Sequence, residues 1–347
     1  MQRLVALLAV SIAALGGGAV QAADYNMRGS LPMDWGFEGA DPVGFEAGLR
    51  YWYSMGAQTV SYSGGDFTSN DTSHILEKYM LIEDFSTNSY AKTYAGFASI
   101  ISGDYSTPID SGAITDGRII YFVGDFGWMP LALGGEGSSI GAGALFGYQY
   151  WNDSPSTGFT NFIDPDSVSW DASTGDPVFS VDSDTQNLTI HAARLGVTAQ
   201  GDLGPVSISA EAAAIPYASV NGTLGANATS IDGTGACTPP AGNCAAYAAS
   251  ATFVDGHAFG ATAEVMAGVT VFNDWNLRFG GRAWYLWGVA DATVTVAEIT
   301  DATESDPVGN PGVFDEPGTV TIQNVFEVTD IFTIARMGAL VELSKSF

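Results

Sequence analysis

The residues of this chain best suited to chemistry are a carboxylate and an imidazole two positions apart. Asp255-Gly256-His257 follows an irregular Gly/Ala-rich stretch and leads into an alternating segment. A histidine that is oriented by a carboxylate can act as a base, because imidazole gains and loses its proton near neutral pH. An ordinary turn from a loop into a strand accounts for the same residues, and we favour that interpretation. Asp116 is likewise expected to be a turn residue.

Other potential ligands are sparse. Cys237 and Cys244 are the two cysteines, and in an oxidising compartment they predict a small loop disulfide. A metal site there would need further ligands, and none is near in the sequence. His74 and His191 have no partner at a recognisable spacing and are expected to be ordinary strand-end residues. The sequence therefore predicts neither a metal centre nor a cofactor.

The long irregular segments are acidic or neutral. The net charge is −27, and arginines and lysines are missing from whole stretches, such as the one between Arg118 and Arg194. Such a charge disfavours nucleic acid as a partner. One stretch concentrates its acids at Asp164, Asp166, Asp171, Asp176, Asp182 and Asp184. These are hard oxygen ligands that divalent cations such as Ca²⁺ accept, although a solvated acidic loop is the simpler interpretation.

The elements that must carry these residues are strands. From Phe45 to Met55 apolar residues alternate with polar or small ones, and the same pattern recurs at 140–151, 259–271, 277–289 and 333–347. Each segment is long enough to cross a bilayer as a tilted strand with one face toward lipid. A soluble sandwich also alternates, but its polar face would carry more lysine and glutamate. The sequence therefore predicts an all-β, transmembrane, antiparallel up-and-down β-barrel.

The polar halves of these segments predict the interior. Eight charged residues share the inward parity: Glu46, Arg50, Glu211, Glu264, Arg278, Arg282, Arg336 and Glu342. Four acids and four bases inside a barrel are tolerable only when they are paired, so an ion-pair network is expected to fill the lumen. A barrel of about ten strands also has a narrow bore. A wide diffusion porin is disfavoured, and a narrow, cation-favouring pore remains the alternative.

The chain is expected to divide into a signal peptide at 1–22, a periplasmic lead-in or plug at 23–42, and the barrel at 43–347. Such a protein belongs in the outer membrane of a Gram-negative bacterium. Its partners would be the lipid and, through the strand ending at Phe347, the barrel-assembly machinery. Ten strands are expected, with eight or twelve as alternatives, near 43–56, 74–102, 105–115, 117–130, 139–151, 187–200, 205–220, 256–272, 276–293 and 330–347.

A family resemblance covers most of these segments. Glu77–Phe97, Ser111–Arg118, Gly143–Trp151, Arg194–Ala218 and Glu264–Gly288, the last containing FGGRAWYLWG, resemble in order the omptin-like outer-membrane barrels, including relatives from alphaproteobacteria. The resemblance implies a ten-stranded barrel. It also implies a protease site at the extracellular rim, where an Asp-x-Asp pair and an Asp-x-His pair hold and activate a water.

The positions that would carry this catalysis differ here. The first aspartate corresponds to Asp116, but the second position is Arg118, a reversal of charge. The stretch after Tyr217, where the second pair is expected, has neither aspartate nor histidine, and Asp255 and His257 have the right spacing only further along. We therefore expect a structural or surface-interaction barrel, with an omptin-like protease as the alternative.

Overall fold

A computed structural model describes residues 43–62, 65–107, 111–135, 138–225, 244–272, 274–304 and 311–347. The expected signal peptide, the segment 23–42 and Cys237 lie outside the described residues. The leader, the lead-in and the disulfide therefore stay predictions. No helix among the described residues has the length and apolar character that a membrane crossing requires.

The described chain is built from strands, with one 3-10 turn at Pro165–Ser167. In chain order the strands are β1 Val43–Tyr62, β2 Gly65–Asp84, β3 Ser89–Ser106, β4 Ser111–Ile114, β5 Gly117–Gly135, β6 Ser138–Pro155, β7 Phe159–Ile163, β8 Ser169–Trp170, β9 Pro177–Val178, β10 Val181–Thr185, β11 Asn187–Leu203, β12 Val206–Leu224, β13 Cys244–Ala248, β14 Thr252–Phe272, β15 Trp275–Thr300 and β16 Val320–Ser346.

Ten of these strands form a closed antiparallel ring. Around the ring the order is β1, β2, β3, β5, β6, β11, β12, β14, β15 and β16, and β16 pairs back with β1 from Ser346 to Ile331. Because the ring closes, no strand in the wall is left with an open edge. The predicted all-β fold and the preferred count of ten strands are confirmed.

The alternation of side chains builds the two faces of this wall. Leu49, Leu76, Phe146 and Val197 are examples of large apolar residues that face outward, each more than half exposed. The residues next to them in sequence point into the ring, as Arg50 beside Leu49 and Glu77 beside Leu76 show, and both are buried. Since successive residues of a strand point to opposite faces, the pattern alone separates lipid-facing from interior positions. These two faces define a transmembrane barrel.

The connections are unequal at the two ends of the ring. At one end, here called the lower end, lie both chain ends of the barrel, near Val43 and Phe347, and turns such as the one at Phe85–Asn88. At the opposite, upper end lie the described parts of the longer connections, at 111–116, 156–186, 244–251, 301–304 and 311–319. β15 and β16 continue past the ring at the upper end, with 26 and 27 residues respectively.

The structure corrects two expected strand assignments. The segment 74–102 is not one strand: β2 ends at Asp84 and β3 begins at Ser89, and the turn between them has Asn88 in the left-handed region with φ 53°. The segment 57–73, which the expected strands 43–56 and 74–102 leave as a connection, forms the upper part of the β1–β2 hairpin in its described residues. The segment 105–115 adds no strand to the ring, because it holds only the end of β3 and the short strand β4. The extra strand in 74–102 and the missing one in 105–115 leave the count at ten.

Gly103 stands in the gap between the expected strands 74–102 and 105–115, but the structure has no turn there. It lies inside β3, opposite Asp71 and Ile114, and a Cβ atom there would come within 1.9 Å of the carbonyl oxygen of Asn70. The glycine therefore serves a close approach of two backbones rather than a turn.

This contact gives a test of the register. Gly103→Ala should lower the free energy of unfolding by about 1–3 kcal/mol, because the neighbouring backbone must move. Gly141→Ala is the matched control, since its Cβ would meet nothing nearer than 3.7 Å, and it should change stability by no more than about 0.5 kcal/mol. Urea titrations in lipid vesicles measure both, and equal losses would contradict the β2–β3 register.

Candidate functional site

The interior of the ring carries the densest polar chemistry, and its lowest level centres on Arg278. The Arg278 guanidinium lies 2.6 Å from the Glu46 carboxylate and 2.5 Å from that of Glu342. Glu342 also accepts a hydrogen bond from Nε of Arg50. The Ser344 hydroxyl donates to Glu46. Strands β1, β15 and β16 thus bring together four residues that the alternation placed inside.

A second set of pairs lies one level higher. Arg282 reaches Glu77 at 2.6 Å and Glu264 at 2.6 Å. Arg50 contacts Glu264 at 3.3 Å, which connects this level to the one below. The Tyr121 hydroxyl donates to Glu77. Because a buried guanidinium can donate to several carboxylates, one arginine here neutralises partners on different strands.

Two more groups of charges complete the network. Arg194 lies 2.9 Å from Asp125 and 2.8 Å from Glu211, and Lys92 also pairs with Glu211. At a higher level, Arg336 contacts two aspartates. The distances are 2.8 Å to Asp71 and 3.4 Å to Asp153. All eight interior residues expected from the sequence therefore take part in ion pairs.

The sequence reasoning missed six members of this network. They share the inward parity of their strands: Asp71, Glu77, Lys92, Asp125, Asp153 and Arg194. Glu77 and Lys92 lie within the segment 74–102. The turn at Phe85–Asn88 interrupts the alternation of this segment, so a reading of it as one strand does not assign its inward residues. Asp71 and Asp153 lie outside the strands expected from the sequence. A correct placement of the Phe85–Asn88 turn would have found Glu77 and Lys92.

An aromatic layer spans the middle of the ring. Trp151 stacks on Tyr121 with ring centroids 4.6 Å apart and lies 5.0 Å from Trp284. Trp52 meets Tyr121 edge-on at 6.1 Å. The Arg282 guanidinium lies 4.9 Å from the Trp52 ring, so the aromatic layer and the charges below it are in direct contact.

The upper mouth of the ring is closed by residues of the long connections. Gln186, fully buried, donates from its amide to Gln58 of β1 at 2.9 Å, although 128 positions separate them in sequence. Thr160 donates its hydroxyl to the carbonyl of Gly225 at 2.5 Å. Leu188 and Leu224 are buried beside these contacts. The connection between β6 and β11 therefore lies across the opening.

Above the mouth the described parts of the connections form a small folded unit, here called the cap, consisting of residues 159–185, 244–250, 293–304 and 311–324. Its buried centre contains Ile163, Ala297 and Ile299, with Phe179 and Tyr247 packed against them. The Trp170 indole donates to the carbonyl of Thr300 at 3.0 Å, and β13 pairs with the end of β15. The upper connections are thus a structured surface resting on the barrel.

The acids of the cap are dispersed. Asp164 accepts from the backbone N–H of Asp166, and Asp171 accepts from the hydroxyl and N–H of Ser173. These Ser173 bonds hold the pKa of Asp171 below its usual value. Within the described ranges, no three histidine, cysteine, aspartate or glutamate side chains are arranged to hold a metal ion. Divalent cation binding by these loops stays a prediction.

Among the described residues, no hydrogen bond or ion pair brings the sequence candidates for catalysis together. Asp116 is exposed between β4 and β5, where its carboxylate accepts from the N–H of Gly117 at 2.7 Å. Arg118 is exposed as well. Asp255 and His257 face outward from β14, which lies four strand positions from β5 around the ring.

The two other histidines have partners that spacing did not reveal. His74 Nδ1 lies 2.5 Å from the Tyr51 hydroxyl, and His191 Nδ1 lies 2.6 Å from the Tyr148 hydroxyl. All four residues are exposed on the outer wall. These pairs fit an interfacial band of aromatic side chains, in which polar tips reach water and rings lie in lipid.

The fold and the filled interior together define a transmembrane β-barrel whose lumen is occupied by its own side chains. No protein-family model and no curated protein matches the sequence. Among solved structures, the chain is similar to the outer membrane protease OmpT from Escherichia coli, with 10% identity over 88% of this chain and 97% of that one and a TM-score of 0.45.

Two other barrels are similar at lower scores. The β domain of the Bordetella autotransporter BrkA has 11% identity over 88% of this chain and all of that one, with a TM-score of 0.29. The toluene transporter TodX of P. putida has 12% identity over 89% and 91%, with a TM-score of 0.25. At these values the comparisons carry no statement about activity. The ten-stranded barrel that the omptin resemblance implied is present, but membership of that family is not shown.

The interior network gives a stability test. Arg282→Met should lower the free energy of unfolding by about 3–5 kcal/mol, because Glu77 and Glu264 stay buried and each loses the guanidinium that it contacts at 2.6 Å. Lys78→Met is the matched control: it removes one positive charge from an exposed position on the same barrel and should leave stability unchanged or raise it. Urea unfolding in vesicles measures both. Equal effects would show that the buried pairs contribute nothing specific.

Proposed function

We propose that this protein is a closed outer-membrane barrel of a Gram-negative bacterium that serves as a rigid anchor for an interaction surface outside the cell. The observation that supports this most directly is the filled lumen. Charged pairs centred on Arg278, Arg282 and Arg336 occupy successive levels, and the layer around Trp151 lies between them. A barrel used for transport would need a continuous polar path, and these groups occupy the place of such a path.

The orientation follows from the connections. In bacterial barrels the short turns face the periplasm and the long connections face outward. The lower end with the chain ends and short turns is therefore assigned to the periplasm, and the cap to the cell surface. The exposed cap, rich in aspartate and free of lysine and arginine in its described part, is then the face that meets other molecules.

An omptin-like protease is the alternative, and the geometry does not favour it. Catalysis of that type needs carboxylates and an imidazole converging on one water. Asp116 instead holds the backbone of its own turn, Arg118 stands where a second carboxylate would be required, and the Asp255/His257 pair faces away from the lumen. We therefore propose a role in surface interaction without peptide cleavage.

Conductance tests the filled lumen. The refolded full-length protein, inserted into planar bilayers in 1 M KCl, should give no stepwise current, because the ion pairs and the aromatic layer leave no aqueous path. A known porin inserted in the same bilayer serves as the positive control. Discrete cation-favouring steps would instead support the narrow pore.

Peptide cleavage tests the alternative enzyme. Incubation of the folded protein with a random peptide library should yield no products above those of Asp116→Ala and His257→Ala, which are expected to behave like the unsubstituted protein. Mass spectrometry of the library detects any product. Cleavage that both substitutions abolish would establish the protease and overturn the proposal.

A further inference from the structure

A cleft on the outer wall is independent of the interior network. It has a volume of about 440 Å³ and lies where β11, β12, β14 and β15 pass beneath the end of β10. Asp184 of β10 is on one side, and Asn187, Asn221 and Asp255 project from the barrel strands. A concave site of this size with several convergent polar groups is typical of small-molecule binding.

The strand register places the cleft just above the aromatic band. Reading across neighbouring strands, one row of outward residues contains Tyr150, His191, Ser219, His257 and Val289. The next row toward the upper end contains Asn152, Thr189, Asn221, Asp255 and Asp291. The first row has the mixed aromatic and polar composition of a membrane interface, whereas the second row, two residues further along each strand, is entirely polar. The cleft therefore begins where the lipid chains end and the headgroup region starts.

The hydrogen-bonding groups of the cleft are both donors and acceptors. Asn187 uses its side-chain oxygen to accept from Asn152 at 2.7 Å and from Ser154 at 2.9 Å, and its side-chain N–H groups have no partner among the described residues. Asn221 donates to Ser219 at 2.7 Å, which leaves its oxygen as an acceptor. The wall thus offers an amide donor and an amide acceptor on adjacent strands.

Asp255 adds a carboxylate without a partner in the described part of the chain. It stands directly opposite Asp291 on β15, and like charges at opposed positions of a sheet are unfavourable. Phe253, two residues away on the same face, is 53% exposed at the cleft. A ligand with one apolar face and several hydroxyl groups would cover the exposed ring and hydrogen-bond to the polar groups beside it.

We propose that this cleft binds a hydroxyl-rich, uncharged carbohydrate. Sugar hydroxyls both donate and accept, so they match the Asn187 donor and the acceptors of Asn221 and Asp255, while the C–H face of a sugar ring fits against Phe253. A phosphate is disfavoured, since none of the described lining residues is lysine or arginine. A polyamine would leave the Asn187 donor unpaired. The inference rests on the proposed orientation, which puts the cleft outside the cell.

The test uses the full-length protein in phospholipid nanodiscs, first on an array of neutral oligosaccharides and then by calorimetry with the strongest binder. Phe253→Ala, Asp255→Ala and Asn187→Asp should each weaken binding at least tenfold. The last substitution keeps the acceptor that holds Asn152 and Ser154 but removes the donor. Phe259→Ala and Asp182→Ala are matched controls, an outward aromatic on the same strand and an acid of β10 outside the cleft, and should bind as the unsubstituted protein does.

Several outcomes would overturn the inference: no oligosaccharide bound above empty nanodiscs, equal losses in the variants and their controls, or binding of spermidine in place of sugar. Urea unfolding of each variant distinguishes lost binding from lost folding. Nanodiscs that contain lipopolysaccharide separate two sources of sugar, since competition would indicate the cell's own lipid-linked glycans and its absence would indicate free glycans. A negative result leaves the conductance test of the filled lumen unaffected.

Discussion

The constraint on which this structure depends is that every backbone polar group inside a bilayer must be paired within the protein. Ten strands meet it by closing into a ring, where β16 pairs with both β15 and β1. A ring of this size encloses a narrow interior that must be filled by side chains. The alternation that gives lipid an apolar wall therefore forces polar residues into a confined space, and charges placed there must find partners.

Three successive levels of side chains fill the interior. Near the lower end, arginines such as Arg278 and Arg282 bridge carboxylates on several strands, so that each of these carboxylates has a guanidinium partner across the lumen. In the middle, the rings around Trp151 replace charge by stacked aromatic surface. At the top, Gln186 closes the mouth. The barrel is thereby held from within as well as around its wall, which suits an anchor more than a channel.

Much of this arrangement follows from local sequence pattern. The parity of single strands was sufficient to place Glu46, Arg50, Arg278 and Glu342 inside, because a strand fixes which side chains share a face. It failed where a turn had to be located first. Gly103 separates two expected strands, yet it is a site of close backbone approach inside one strand, and the turn itself lies at Phe85–Asn88.

The sequence by itself determined the membrane barrel, its approximate strand count and the charged character of its interior, since these depend on a period of two and on composition. Only the tertiary structure decided which charges pair, that the upper connections fold into a cap, and that Asp255 and His257 face outward. The physical reason is that these features depend on register between strands distant in sequence. A shift of one residue would reverse every such orientation.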